Sequence, residues 1–177
     1  MIIGRGDIAS AIIDRKGFTF YANGCSNRTP LTREKRVLEY YEIKSYRNND
    51  MFVYFSTLSI YYKVLSEYTL HKIKMENTIR NRFENYCIMR IGNITWGDNP
   101  NTLINYLSND QSRVENTYRY LLDKKELQHW ITMIPPRGMH EMNVTGRAVY
   151  IPDLIKEINE RKIHPDKQRF ELLPPSV

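Results

Sequence analysis

MFVYFSTLSIYYKVLSEYTLHK (51–72) decides how this chain folds. Its opening run, MFVYFS (51–56), is apolar without interruption, the pattern of a strand buried on both faces in a parallel sheet. The run delivers Ser56 and Thr57, and the spacing beyond them predicts a helix from about Leu65 to Arg82. Strand, hydroxyl pair, short loop and helix make the first half of a βαβ unit. In open parallel sheets the C-terminal strand edge is where ligands bind. A hydroxyl at that edge can hydrogen-bond a substrate carbonyl or alcohol, or can cap the turn that follows it.

The same alternation extends in both directions. Downstream, YCIMRIG (86–92) is a second solid strand that ends in Gly92 and Asn93. Upstream, Thr32 to Tyr46 is helical, with Val37, Leu38, Tyr41 and Ile43 as inward positions, and FTFYA (18–22) is a β-rich run that stops at the turn pair Asn23-Gly24. The chain starts with the short apolar run Met1–Ile3, and DIASAIID (7–14) has the spacing of a short helix closed by Gly17. Further on, 102–107 and 124–130 look helical and AVYIP (148–152) extended, while DLIKEINERK (153–162) is a helix with Asp153 as N-cap or first-turn acid. Strands alternating with helices predict an α/β domain with a mainly parallel sheet. The expected organisation is one domain over 1–177, with a core at 1–97 and a reduced C-terminal lobe at 98–177.

Bulk properties narrow the function. A chain of 177 residues can bury about two-thirds of its unfolded surface. No apolar run nears the ~20 residues of a membrane span and no signal-peptide pattern opens the chain, so a cytoplasmic protein is expected. Cys25 and Cys87 form no metal-ligand spacing, no metal is expected, and both read as buried free thiols. The net charge of +6 is spread along the chain rather than clustered. That argues against nucleic acid as a partner and leaves an attraction for nucleotide phosphates.

Two constellations carry chemistry. Gly4-Arg5-Gly6-Asp7-Ile8-Ala9 reads GxGxxA between a strand and a predicted helix, where a dinucleotide fingerprint belongs. The first glycine allows a tight turn and the second lets a pyrophosphate approach the backbone. The second constellation is Tyr-x-x-x-Lys, which occurs three times, as Tyr40/Lys44, Tyr68/Lys72 and Tyr120/Lys124. Only Tyr68/Lys72 follows a strand, a hydroxyl pair and a turn, and precedes another buried strand. A spacing of four puts both on one helix face. An ammonium ~4 Å from a phenolate stabilises it by about 4 kcal/mol at an effective dielectric near 20, enough to draw a tyrosine pKa from about 10 towards the range useful in general acid–base catalysis.

The ordered set GRGDIA, FVYFSTLSIY, YTLHKIKME and IMRIGNITWG resembles the extended short-chain dehydrogenase/reductases, in particular their NAD(P)-dependent nucleotide-sugar epimerases and dehydratases. The similarity covers most of 1–97 and, more faintly, 116–130. It implies a Rossmann-like sheet, an NAD or NADP cofactor and a nucleotide-linked sugar as substrate. Tyr68 would be the acid/base, Thr57 the hydroxyl that steadies the reacting oxygen, with Ser56 beside it. Lys72 would hold the nicotinamide ribose and keep the phenol's pKa down. Gly4, Arg5, Gly6, Asp7 and Ile8 would surround the pyrophosphate, and Ala22, Asn23, Gly24, Gly92 and Asn93 would border the cofactor.

The departures from that family set further expectations. Two strand–helix units normally stand between the glycine loop and the FTFYA-like strand; here only a short linker does. Met1–Ile3 should therefore form the sheet edge, covered by TREKRVLEYYEIK, by the tail ELLPPSV or by a second copy in a homodimer. No acid stands about twenty residues past the glycines to hold the adenosine ribose, so Arg5 suggests a slight preference for NADP. The alternative to an enzyme is a non-catalytic nucleotide or nucleotide-sugar binding protein on the same fold.

Overall fold

The structure, a computed structural model, describes residues 1–25, 32–47, 49–111 and 116–160. In chain order its elements are β1 (Ile2–Ile3), β2 (Phe18–Tyr21), α1 (Thr32–Ser45), β3 (Met51–Thr57), α2 (Glu67–Arg80), β4 (Tyr86–Ile91) and β5 (Asn93–Ile94). Then follow α3 (Leu103–Asn109), β6 (Tyr118–Leu122), α4 (Lys124–Thr132), β7 (Met139–Val144), β8 (Arg147–Tyr150) and α5 (Ile151–Glu160). The main sheet has the order β1-β2-β3-β4-β7, and every pair in it is parallel. A smaller sheet, β5-β6-β8, stands beside it.

β3 is the spine, as its sequence dictates. Its residues alternate between the two faces. Met51, Val53 and Phe55 join Phe18 and Phe20 of β2, Ala11, and Leu127 and Ile131 of α4. Phe52 and Tyr54 join Ile43 of α1 and Met75 and Ile79 of α2. The five positions from Met51 to Phe55 are all buried, each apolar side chain contributing about 1.5–3 kcal/mol over an exposed one. The result is a Rossmann-like sheet flanked by helices, as expected, and β1 forms its edge.

Several local expectations are corrected. Residues 7–14 form no helix beyond a single 3-10 turn at Ala9–Ala11, where the Ser10 hydroxyl donates back to the Asp7 carbonyl. Of the four positions of α1 expected to face inward, Ile43 does so and the other three do not. Val37, Leu38 and Tyr41 are 49, 62 and 64% exposed, whereas Glu39 is buried beside Ile43. β6 and β7 were not expected at all: YRYLL and MHEMNV carry polar residues on a half-exposed pleat and contain no apolar run. In AVYIP the strand stops at Tyr150 and Ile151 starts α5, whose first turn accommodates Pro152 because its missing N–H would have no helical partner.

Of the two segments of the chain expected to cover β1, ELLPPSV (171–177) lies outside the described residues, and α1 packs on a face of the sheet rather than along its edge. The β1 end is instead pinned by the Met1 ammonium, which donates to the Asp14 carboxylate and the Phe18 carbonyl, both at 2.6 Å. No helix among the described residues is long and apolar enough to cross a membrane.

Candidate functional site

A cavity of about 650 Å3 opens over the C-terminal ends of β1 to β4, the ligand-binding edge of a parallel sheet. One wall comes from the main sheet and the loops at its strand ends: Gly6, Asp7, Ile8, Ala22, Gly24, Ser56, Thr57 and Gly92, with Asn93 at the start of β5 and Tyr68 and Lys72 from α2. The opposite wall comes from the smaller sheet and the start of α3, including Asn99, Asn101, Arg119 and Tyr120. Three of the expected site residues, Gly4, Arg5 and Asn23, are not part of this lining.

Thr57, Tyr68 and Lys72 are brought together. Thr57 ends β3, and its hydroxyl accepts from the Ser59 amide at 3.2 Å, capping the turn Leu58–Tyr61, while the Tyr68 phenol lines the same cavity. A chain of hydroxyl contacts runs on from Thr57 to Ser59 (2.9 Å), from Ser59 to Thr69 (3.2 Å) and from Thr69 to Ser66 (3.0 Å), the N-cap of α2. These contacts tie the end of β3 to the first turn of α2, where Tyr68 stands. The competing pairs have no such setting: Lys44 lies over the Tyr40 ring on the outside of α1, and Tyr120 and Lys124 stand on different elements.

The electrostatics differ from expectation. Burial raises the Tyr68 pKa, and the Lys72 ammonium, 5.8 Å from the ring centre, lowers it by less, so the phenol stands above its ordinary value. Lys72 is otherwise engaged. Its Nζ donates to Tyr54 Oη at 2.9 Å and to Glu39 Oε1 and the Phe55 carbonyl at 3.4 Å. Glu39 escaped sequence reasoning altogether. Its carboxylate also accepts from the Tyr54 hydroxyl (2.6 Å) and the Cys25 amide (2.8 Å) and bonds His71 Nε2 (2.7 Å).

Ser56, expected at the cofactor, commits its hydroxyl to Glu76 Oε1 at 2.6 Å instead. Glu76 also holds the Arg90 guanidinium (2.6 Å) and Arg80 (2.9 Å), and both arginines reach Glu141 on β7. This second buried cluster ties β3, α2, β4 and β7 together below the cavity.

The glycine loop is part structure and part site. Gly4 has φ +118°, and a Cβ there would stand 2.5 Å from the Ala22 carbonyl oxygen. Its task is to let β1 turn close to β2. Gly6 has open space where a Cβ would be, so it leaves room for a ligand on the cavity side. The Asp7 carboxylate packs over Gly97, and the Trp96 indole N–H donates to the Asp7 carbonyl at 2.8 Å, docking the loop on the ITWG segment. Arg5 is exposed, and Asn23 donates to Glu42 at 3.1 Å. The slight NADP preference rested on Arg5 and gains no support.

No protein-family model and no curated protein matches this sequence. The fold, however, is shared with solved nucleotide-sugar enzymes. The Bordetella bronchiseptica enzyme WbmG, solved with NAD and UDP, superposes with a TM-score of 0.60 at 12% identity over 82% of this chain and 56% of its own. The UDP-glucose 4-epimerase of Thermus thermophilus, solved with NAD, gives 0.60 at 12% identity over 81% and 61%. The UDP-N-acetylglucosamine 4-epimerase of Methanobrevibacter ruminantium, solved with UDP-N-acetylmuramic acid, gives 0.56 at 15% over 81% and 59%. This chain thus spans less than two-thirds of their length, and at such identities the likeness establishes the fold.

Proposed function

We propose that this chain is an NAD(P)-dependent oxidoreductase or epimerase that acts on a nucleotide-linked sugar through Thr57, Tyr68 and Lys72. The observation that carries it is the convergence of Thr57, Tyr68 and Lys72 on one cavity at the C-terminal end of β3, with the Lys72 ammonium 5.8 Å from the Tyr68 ring centre. Solved relatives in fold carry NAD and UDP-linked ligands in the same architecture. The residues present fit the nicotinamide and its ribose: Gly6 leaves space for a close approach, and Ile8, Ala22, Gly24, Gly92 and Asn93 border the same volume. When bound, that cofactor would supply hydride transfer. Tyr68, protonated at rest, would give a proton to the reacting oxygen or take one from it, and Thr57 would hold that oxygen in place. Asn99, Asn101 and Arg119 would face the nucleotide part of the substrate.

Fluorescence titration with NADH and a turnover assay test this together. Tyr68→Phe should cut turnover by about 10²–10⁴-fold and leave NADH affinity nearly unchanged, since only the phenolic proton is lost. Equal turnover in both proteins would sink the assignment. A second reading, a nucleotide-sugar binder without catalysis, is favoured by the three protein acceptors already around the Lys72 ammonium. Binding of UDP-sugars without any NADH binding would select it.

A further inference from the structure

We propose that Glu39 is a positioning residue for this acid–base pair: its carboxylate keeps the Lys72 ammonium charged and fixed beneath Tyr68. The inference rests on the functional reading above for its significance, but not for its geometry. Glu39 is 2% and Lys72 3% exposed, and their charged atoms stand 3.4 Å apart. The Tyr54 hydroxyl bridges them, accepting from Nζ at 2.9 Å and donating to Oε1 at 2.6 Å. The other carboxylate oxygen is anchored by the Cys25 amide and by His71, so the carboxylate cannot swing away from Lys72 without breaking both. Gly24 makes the space for the pair, because a Cβ there would stand 2.6 Å from Nζ and 3.2 Å from Oε1.

A buried ammonium without a counter-charge sheds its proton, since burial disfavours the charged form. The groups that face this pair are Tyr54 from β3, Tyr21 from β2, Cys25 from the loop after it, His71 and Tyr68 from α2, and Arg36 and Lys35 from α1. None of these is a second carboxylate. Glu42, the neighbouring acid of α1, is engaged by Tyr21 and Asn23. Among the described residues Glu39 alone pairs with Lys72. A neutral Lys72 could neither favour the Tyr68 phenolate nor present a cation to a ribose, so a helix outside the cavity lining sets the charge state of its floor.

The test is an NMR titration of ligand-free protein with labelled lysine side chains, the Lys72 signal being assigned by its loss in Lys72→Met. In wild type Lys72 should stay charged beyond the ordinary lysine value of about 10.4. In Glu39→Gln its midpoint should fall by at least one pH unit, a tenfold change in the proton equilibrium; an unchanged midpoint overturns the proposal. If Glu39→Gln does not fold, stability in the Lys72→Met background decides. Lys72→Met leaves the buried Glu39 carboxylate without its ammonium, so adding Glu39→Gln should restore part of the lost Tm, and no recovery overturns the pairing. Neither measurement needs ligand or turnover. Full activity in Tyr68→Phe would therefore remove the functional reading and leave this result standing.

Discussion

At the scale of single residues, Ser56 and Thr57 show how adjacent hydroxyls take different work. Successive strand residues point to opposite faces. Ser56 donates to buried Glu76 on α2, while Thr57 lines the cavity that Tyr68 also lines. Ser56→Ala should therefore lower stability by about 1–2 kcal/mol, the cost of unpairing a buried acceptor, and leave NADH affinity alone. Thr57→Val should instead cut turnover tenfold or more, with a loss of about 1 kcal/mol of stability from the vacated Ser59 cap. Denaturant melts and steady-state kinetics on both variants check the contrast. The placement of Tyr68 and Lys72 on one helix beside the end of β3 was legible in the sequence, because a motif and its flanking strands announce it. Glu39 was not legible, because a glutamate among Val37, Leu38 and Tyr41 reads as the solvent face, and only a partner thirty-three positions away makes its burial affordable. The direction of the Tyr68 pKa was missed for a related reason: spacing reveals the nearby cation but neither the burial of the phenol nor the acid that occupies the cation.

Among elements, α2 is the one that organises the site. Lys72 and Glu76 stand four residues apart on its sheet-facing side, one paired with Glu39 and the other with Arg90. The helix thus docks through two buried ion pairs flanking Met75 and Ile79 rather than through an apolar stripe alone. Its length and N-cap region were readable, since Ser66 precedes a clear helical run and its hydroxyl accepts from the Thr69 amide. β6 and β7 were unreadable for want of apolar runs, yet they close the cavity and complete the sheet. The turn between β7 and β8 depends on Gly146, with φ +64° and a would-be Cβ only 1.9 Å from the Leu121 carbonyl oxygen. Gly146→Ala should cost at least about 2 kcal/mol, lowering Tm by about 4–8 °C in a chain of this size. A calorimetric scan within 1 °C of wild type would contradict this close packing of the two strands against β6.

Over the whole molecule, two carboxylates carry the response to acid. Burial alone would raise the Glu39 pKa, but Lys72, His71 and Tyr54 outweigh it and bring it to about 2. Hydrogen bonding from Arg80, opposed by burial and joined by Arg90, brings Glu141 to about 2 as well. Both values lie below the ordinary carboxylate pKa near 4.5, so the folded state holds fewer protons than the unfolded chain between them. The stabilisation is complete above pH ~4.5 and is lost as pH falls towards 2. For buried Glu39 it is of order 3 kcal/mol; for Glu141, a third exposed, it is smaller because solvent screens it. Urea melts should show stability dropping through that window, and Glu141→Gln should flatten the slope; an unchanged slope would mean that the Arg80–Glu141–Arg90 contacts contribute nothing. The fold itself was legible at this scale from MFVYFS, YCIMRIG and the helices between them. The direct step from β1 to β2 was visible too, as the brief linker between Ile3 and Phe18.

That linker has a consequence in the handedness of the chain path. From β1 to β4 the strands follow one another in sequence order, each step moving the same way across the sheet. The first step passes over the face of Ala11 and α4, while the next two pass over the opposite face through α1 and α2. Equal lateral steps over opposite faces have opposite hands. The β1–β2 connection therefore has the opposite hand to the α1 and α2 crossovers, so the two kinds cannot both take the right-handed form that parallel units almost always adopt. In doubly wound sheets a crevice opens where the strand order reverses. Here the order never reverses, and the change of hand replaces it: the chain leaves β1 on one side and β2 on the other, and the cavity lies in the parting between Gly6 and Gly24.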